Sequence, residues 1–228
     1  DIVFSCVGND DDLRQVTLGA DGALAGMKPG AVLVDHTTAS AEVARELDAA
    51  ARERGLHFID APVSGGQAGA QKGVLTVMCG GEEAVFERIR PVALAFARAV
   101  TLLGPAGAGQ LAKMVNQIAV VGVMQGLAEA IAFGQQAGLD MGRVLEVIRQ
   151  GAAQSWQMEQ RGPTMIEDRF DFGFAVDWMR KDLSLVLQEA RRNGARLPQT
   201  ALIEQFYADL QARGGGRWDS SSLIRRLK

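Results

Sequence analysis

The chain has 228 residues, 47% of them hydrophobic and 22% charged, enough to bury one sizeable core or two modest ones and too apolar for a disordered segment. Its net charge of −3, with both signs mixed along the chain, supplies no basic stripe for a phosphate backbone, so nucleic acid is not an expected partner. The two cysteines, Cys6 and Cys79, each lie in an apolar run that reads as a buried strand, which indicates no disulfide framework and makes a reducing, cytoplasmic setting the expectation.

The opening residues lack an initiator Met, a basic n-region and a small-residue cleavage site. An apolar strand at residue 2 without a preceding cap or linker implies that the chain begins inside the fold, because a parallel strand normally has neighbours supplied by earlier βα units. Strand candidates follow at residues 2–6, 31–35, 57–60, 74–79 and 100–103, rich in Val, Ile, Leu and Phe. Between them, residues 40–54 place Val43, Leu47 and Ala50 at helical spacing among Ala, Arg and Glu. This alternation predicts a Rossmann-type parallel α/β sheet over residues 1–103, covered on both faces.

From residue 104 the character changes. A helical pattern runs from about 106 to 137 and ends near Gly138, and further helices are expected at 140–150, 177–193 and 199–213, with no strand. Pro198 suits a first helical turn, and Gly214, Gly215 and Gly216 read as a flexible break. The most apolar stretch, residues 111–133, is interrupted by Lys113, Asn116, Gln117, Gln125 and Glu129, so it reads as a core helix rather than a membrane span. The fold class is therefore α/β followed by all-α, with residues 1–103 as the later part of a dinucleotide-binding domain and residues 104–228 as a helical domain. One long helix joins them, and a cleft between the two is the natural ligand site.

Three segments carry more polarity or glycine than packing requires. Residues 60–66 (DAPVSGG) directly follow a strand, and the backbone amides of such a turn, with the Ser64 hydroxyl, suit a carboxylate; a plain turn is the alternative. Gly104, Gly107 and Gly109 lead into a helix on which Lys113, Asn116 and Gln117 share one face, where a lysine and two amides are costly to bury without a task; a snorkelling lysine is the alternative. These glycines are spaced GxxGxG, not GxGxxG, and do not form a phosphate fingerprint. The third segment, Lys181, Asp182 and Leu183, by itself reads as a surface ion pair. Asp35, His36, Thr37 and Thr38 lie at a strand end, where open α/β sheets bind ligands, and His36 and His57 read as ordinary strand-end residues. The three Trp read as packing or lid residues, and Phe170, Phe172 and Phe174 as pocket lining or core. With two His, two Cys and no spaced cluster, no metal site is expected.

Together and in this order, the DAPVSGG turn, the glycine-rich lead into Lys113-x-x-Asn116 and the Lys181-Asp182-Leu183 triplet resemble the β-hydroxyacid dehydrogenase family, over nearly the whole chain. The resemblance implies a Rossmann domain, a helical second domain, an NAD or NADP cofactor and a small hydroxy-acid substrate. It implies that Lys113 is the catalytic lysine, that Ser64, Gly65 and Gly66 hold the substrate carboxylate, and that Asn116 and Gln117 bind substrate. On the cofactor side it implies Gly8, Asn9, Thr38 and Lys181. Hydride transfer needs one acid/base group, and Lys113 serves if burial and the positive nicotinamide lower its pKa from roughly 10.4 toward neutrality. The glycine fingerprint and the residue that separates NAD from NADP are expected upstream of residue 1. An imine reductase of the same architecture and a non-catalytic oligomeric binding module are the competing readings. A homo-oligomer is expected, since the helical half offers more apolar surface than it can bury alone.

Overall fold

The structure is a computed structural model that describes residues 1–227, and it divides into two compact units, Asp1–Val115 and a second that begins at Asn116. The first contains β1 (Ile2–Ser5), α1 (Asp10–Leu18), α2 (Ala23–Gly26), β2 (Val32–Asp35), α3 (Ala41–Glu53), β3 (His57–Asp60), β4 (Val63–Ser64), α4 (Gly66–Gln71), β5 (Leu75–Gly81), α5 (Glu83–Ala93), β6 (Ala97–Leu102) and the first turns of α6 (Ala108–Gln136). Strands β1, β2 and β3 are parallel and in register, so that Ser5, Asp35 and Asp60 stand side by side at their carboxyl ends. All four residues of β2 are buried because both faces of the sheet are covered. Val32 and Val34 pack with Val77, Val85 and Ile89, while Leu33 packs with Leu13, Val43 and Leu47. A strand enclosed in this way reads as a continuous apolar run.

The sheet is parallel-dominant, with one antiparallel seam that strand–helix alternation does not reveal. Strands β3 and β4 lie along the same edge of β5 in one unbroken antiparallel register, from Ile59 opposite Gly81 to Ser64 opposite Thr76. Within the interruption, the Pro62 carbonyl still accepts the Met78 N–H at 3.0 Å. β6 pairs in parallel with the other edge of β5. The connection from β3 to β5 spends its length on β4 and the six-residue α4, too little for a full covering helix, and β5 therefore returns antiparallel.

The second unit is helical: the rest of α6, α7 (Met141–Ile148), α8 (Trp156–Ile166), α9 (Val176–Asn193), α10 (Pro198–Ala212) and a short 3₁₀ segment, Ser220–Arg226. Val121, Met124, Leu127, Ala128 and Ile131 recur at helical spacing on α6 and pack against Met165, Phe170, Met179, Leu183 and Tyr207. By length and composition α6 passes for a membrane span, yet this face is filled by protein. Pro198 opens α10 as predicted, and among the described residues the only strand-like feature here is a single bridge between Ala175 and Asp219.

Four expectations are corrected. Cys6 is exposed, because β1 ends at Ser5. On α3 the buried position is Ala51 rather than Ala50. Helix α8, capped by Ser155, falls in a segment assigned no element. The break at Gly214, Gly215 and Gly216 is a packed turn: a Cβ on Gly215 would stand 2.3 Å from the Trp218 ring and 2.8 Å from the Leu210 carbonyl.

Close approach also explains Gly80 and Gly109. A Cβ on Gly109 would lie 2.3 Å from the Met78 carbonyl and 2.8 Å from Asp60 Oδ2, and one on Gly80 would lie 2.5 Å from Asp60 Oδ1. Gly109→Ala is expected to destabilise the protein by about 1–3 kcal/mol through backbone overlap. Gly126→Ala, in open space on α6, should be neutral or stabilising by up to about 1 kcal/mol. Urea denaturation of the two variants checks the contrast, which similar midpoints would refute.

Candidate active site

The site in the first unit is organised by Asp60. Its carboxylate is fully buried and sits at the amino end of α6, where it accepts the Gly107 N–H on Oδ1 at 2.7 Å and the Gln110 N–H on Oδ2 at 2.9 Å. These are amides that a helix leaves without internal partners, and the positive end of the helix dipole favours the negative charge. Burial nonetheless dominates and pushes the Asp60 pKa up from 3.8 to about 6, against the pull of the two backbone hydrogen bonds.

One turn beyond Gln110, Lys113 is 8% exposed and donates from Nζ to the Val63 carbonyl at 2.8 Å. The structure thus brings Lys113 to the strand residue that precedes Ser64. Gly65 follows with φ +130° and Gly66 with φ +61°, so the chain turns sharply and leaves both glycines exposed at the start of α4. Lys113, Ser64, Gly65 and Gly66 therefore belong to one neighbourhood, and the snorkelling alternative for Lys113 is not what forms.

The loops after β1 and β2 lie at the same carboxyl edge. Asp35, fully buried, accepts the Ser5 hydroxyl at 2.8 Å and the Thr37 hydroxyl at 2.7 Å on Oδ1, while Oδ2 has no hydrogen-bond partner among the described residues. Desolvation again raises its pKa to about 6. Thr38 is half-buried between Thr37 and Ala39. Asn9 caps α1, accepting the Asp12 N–H at 2.9 Å, and the first turn of α1 carries Asp10, Asp11 and Asp12. Three carboxylates at this helix start disfavour a phosphate there. His36 is packing: its Nδ1 donates to the Ala61 carbonyl at 2.6 Å, its ring stacks on Phe4 and meets Phe96 edge-on, and burial lowers its pKa.

In the second unit, Gln117 is 4% exposed and has both ends of its amide engaged. Its Nε2 donates to Asp182 Oδ2 at 2.7 Å, and its Oε1 accepts Asn116 Nδ2 at 2.7 Å. Lys181 Nζ lies 2.8 Å from Asp182 Oδ1. The Lys181–Asp182 pair is thus anchored on a buried carboxylate rather than on the surface, and Asn116 is the half-buried amide of its pair. Phe170 is core, whereas Phe172 and Phe174 are exposed. No group of three or more potential metal ligands occurs among the described residues.

A parallel-dominant sheet, a strand-end loop carrying two glycines and a buried lysine beside it make up the site of the first unit. A family model described as the NAD-binding domain of NADP-dependent 3-hydroxyisobutyrate dehydrogenase matches residues 107–227, and one described as the NAD binding domain of 6-phosphogluconate dehydrogenase matches residues 1–104. An uncharacterized oxidoreductase of Shewanella frigidimarina is 62% identical over 228 residues, which cover all of this chain and 78% of that protein. The 2-hydroxy-3-oxopropionate reductase of Escherichia coli is 36% identical, again over the whole chain and 78% of the relative. The crystal structure of 3-hydroxyisobutyrate dehydrogenase from Salmonella typhimurium superposes with a TM-score of 0.89 at 33% identity, covering 99% of this chain and 79% of that one. The chain belongs to the β-hydroxyacid dehydrogenase family. It is an NAD(P)-dependent hydroxyacid dehydrogenase, an oxidoreductase that acts on a small molecule.

Asp60 falls inside the DAPVSGG turn and Gln110 inside the glycine-rich helix start, and local pattern assigns neither a part. The available signal was an acidic residue at a strand end followed by a glycine-rich helix start, which pairs a carboxylate with unsatisfied amides.

The raised pKa values of Asp35 and Asp60 make stability depend on pH. Each folded-state value lies above the ordinary 3.8, so the folded form holds the proton more tightly; the contribution is complete below pH 3.8 and is lost as pH rises through about 6. Asp35→Asn removes one such group while keeping an acceptor for Ser5 and Thr37. Its stability relative to the parent should improve steadily from pH 4 to 7, read from urea midpoints, and a difference independent of pH contradicts the assignment.

Proposed function

We propose that the enzyme interconverts a small 3-hydroxy acid and its semialdehyde, with Lys113 as the general acid/base. The observation that carries this reading is the burial of the Lys113 ammonium group against the Val63 carbonyl, next to Ser64, Gly65 and Gly66. NAD or NADP, which Gly8, Asn9 and Thr38 would hold, would supply the hydride chemistry. In oxidation the substrate hydroxyl loses a proton, which the neutral Lys113 amine takes; in reduction the ammonium returns it to the carbonyl oxygen. Ser64 and the amides of Gly65 and Gly66 hold the substrate carboxylate, and this remote contact fixes the reacting carbon.

Asn116 orients the substrate, and Gln117, whose amide is spent on Asn116 and Asp182, supports it. Gly8, Asn9 and Thr38 serve the cofactor, as does Lys181 by family resemblance. Residues 1–103 then form the dinucleotide-binding part, and residues 104–228 the substrate and oligomerisation part.

Lys113→Met in the full-length protein is expected to lower kcat by ~10²-fold or more with dinucleotide affinity largely retained, the scale for losing an acid/base group. Steady-state turnover with calorimetric cofactor titration tests this, and a loss below about threefold sinks the assignment.

The second unit is also proposed to mediate homo-oligomerisation. Phe133 is 75% exposed and Val147 72%, and Leu202 and Val123 are exposed as well, apolar side chains that a subunit contact would cover. Light scattering at micromolar concentration should give a multiple of the subunit mass, and a clean monomer contradicts the proposal.

A further inference from the structure

The loops after β1 and β2, the end of β3 and the first turn of α6 are joined by a single run of hydrogen bonds. The Val7 N–H donates to Thr37 Oγ1 at 2.9 Å, and that hydroxyl donates to Asp35 Oδ1 at 2.7 Å. The Thr37 carbonyl accepts Gln110 Nε2 at 2.8 Å, while the Ala39 N–H donates to Gln110 Oε1 at 3.0 Å. The Gln110 backbone N–H completes the run on Asp60 Oδ2 at 2.9 Å. The Gln110 side chain is 1% exposed, and its carboxamide meets two backbone groups as a neighbouring strand would, one on each side of Thr38.

The chemistry of this residue is specific. A buried carboxamide is costly unless both ends are satisfied, and an apolar side chain of similar volume would fill the same space at less cost. Both ends are satisfied here, and they are spent on the backbone of residues 37 and 39, which has no other regular structure to hold it. The same residue lies one helical turn before Lys113 and is anchored through its own N–H on Asp60. Asparagine, one methylene shorter, cannot span the distance; glutamate matches the length but offers only an acceptor, which suits the Ala39 N–H and opposes the Thr37 carbonyl.

We propose that Gln110 is a positioning residue for the dehydrogenase reaction: its carboxamide clamps the backbone on both sides of Thr38 to the helix that carries Lys113, and so fixes the cofactor side of the site relative to the acid/base. It touches neither substrate nor cofactor, and it acts through Thr38. The inference rests on the reading of Thr38 and Lys113 given above.

The test compares Gln110→Leu and Gln110→Glu in the full-length protein, with kcat, KM for dinucleotide and for hydroxy acid, and the primary deuterium isotope effect on kcat. For Gln110→Leu the dinucleotide KM should rise ~10-fold or more, kcat should fall by ~10²-fold with an increased isotope effect, and the hydroxy-acid KM should move by less than about threefold, the pattern of a misplaced hydride path. Gln110→Glu, which keeps one of the two bonds and the volume, should fall between the two and recover part of the dinucleotide KM. Were Gln110 only a packing residue, both variants would lower the melting temperature while the folded enzyme kept its KM values and isotope effect, and that result overturns the proposal. An unchanged dinucleotide KM in Gln110→Leu overturns it whatever Lys113→Met does. If Lys113→Met stays active while Gln110→Leu still raises the dinucleotide KM, the reading of Lys113 fails and the clamp on Thr38 is supported.

Discussion

The carboxylate of Asp60 is the constraint on which the first unit depends. It ends β3, and the same side chain closes the open amides at the start of α6, so the strand end and the helix start are held within two hydrogen bonds of each other. Neither partner tolerates intervening bulk, which is why Gly80 on β5 and Gly109 on α6 stand against it. The cost is a buried carboxyl whose proton is held more tightly than in water. What the arrangement secures is direction: with its first turn fixed, α6 delivers Lys113 beside the loop that carries Ser64, Gly65 and Gly66.

The same logic recurs at the neighbouring strand. Asp35, in register with Asp60, gathers Ser5 and Thr37, and Thr37 in turn holds the loop after β1. Two adjacent buried aspartates are an expensive feature for a small sheet; Asp35 fixes the loops after β1 and β2, and Asp60 fixes the start of α6. In the second unit a third buried carboxylate, Asp182, organises Gln117, Asn116 and Lys181 in a similar way. Asp60 is met by backbone amides, Asp35 by two hydroxyls on one of its oxygens, and Asp182 by an amide and an ammonium group, and the residues proposed to meet substrate or cofactor stand one step outward from them.

Much of this was written in the sequence. The alternation of apolar strands with helices, the switch to helical spacing after residue 104 and the placement of Pro198 follow from local periodicity and from backbone geometry, which the chain carries wherever it goes. The order of the DAPVSGG turn, Lys113 and the Lys181-Asp182 pair was enough to indicate the family by resemblance, and the family models match both halves of the chain. What only the tertiary structure decided were the partners. The antiparallel return of β5 and the burial of Asp182 depend on neighbours distant in sequence. Asp60 and Gln110 lie 50 residues apart, and so do Lys113 and Val63; a hydrogen bond across that separation leaves no periodic trace. A side chain's local pattern states how much of it is apolar and which way it faces, whereas the role of a buried polar group is set by the atom it meets, and that atom is supplied by the fold.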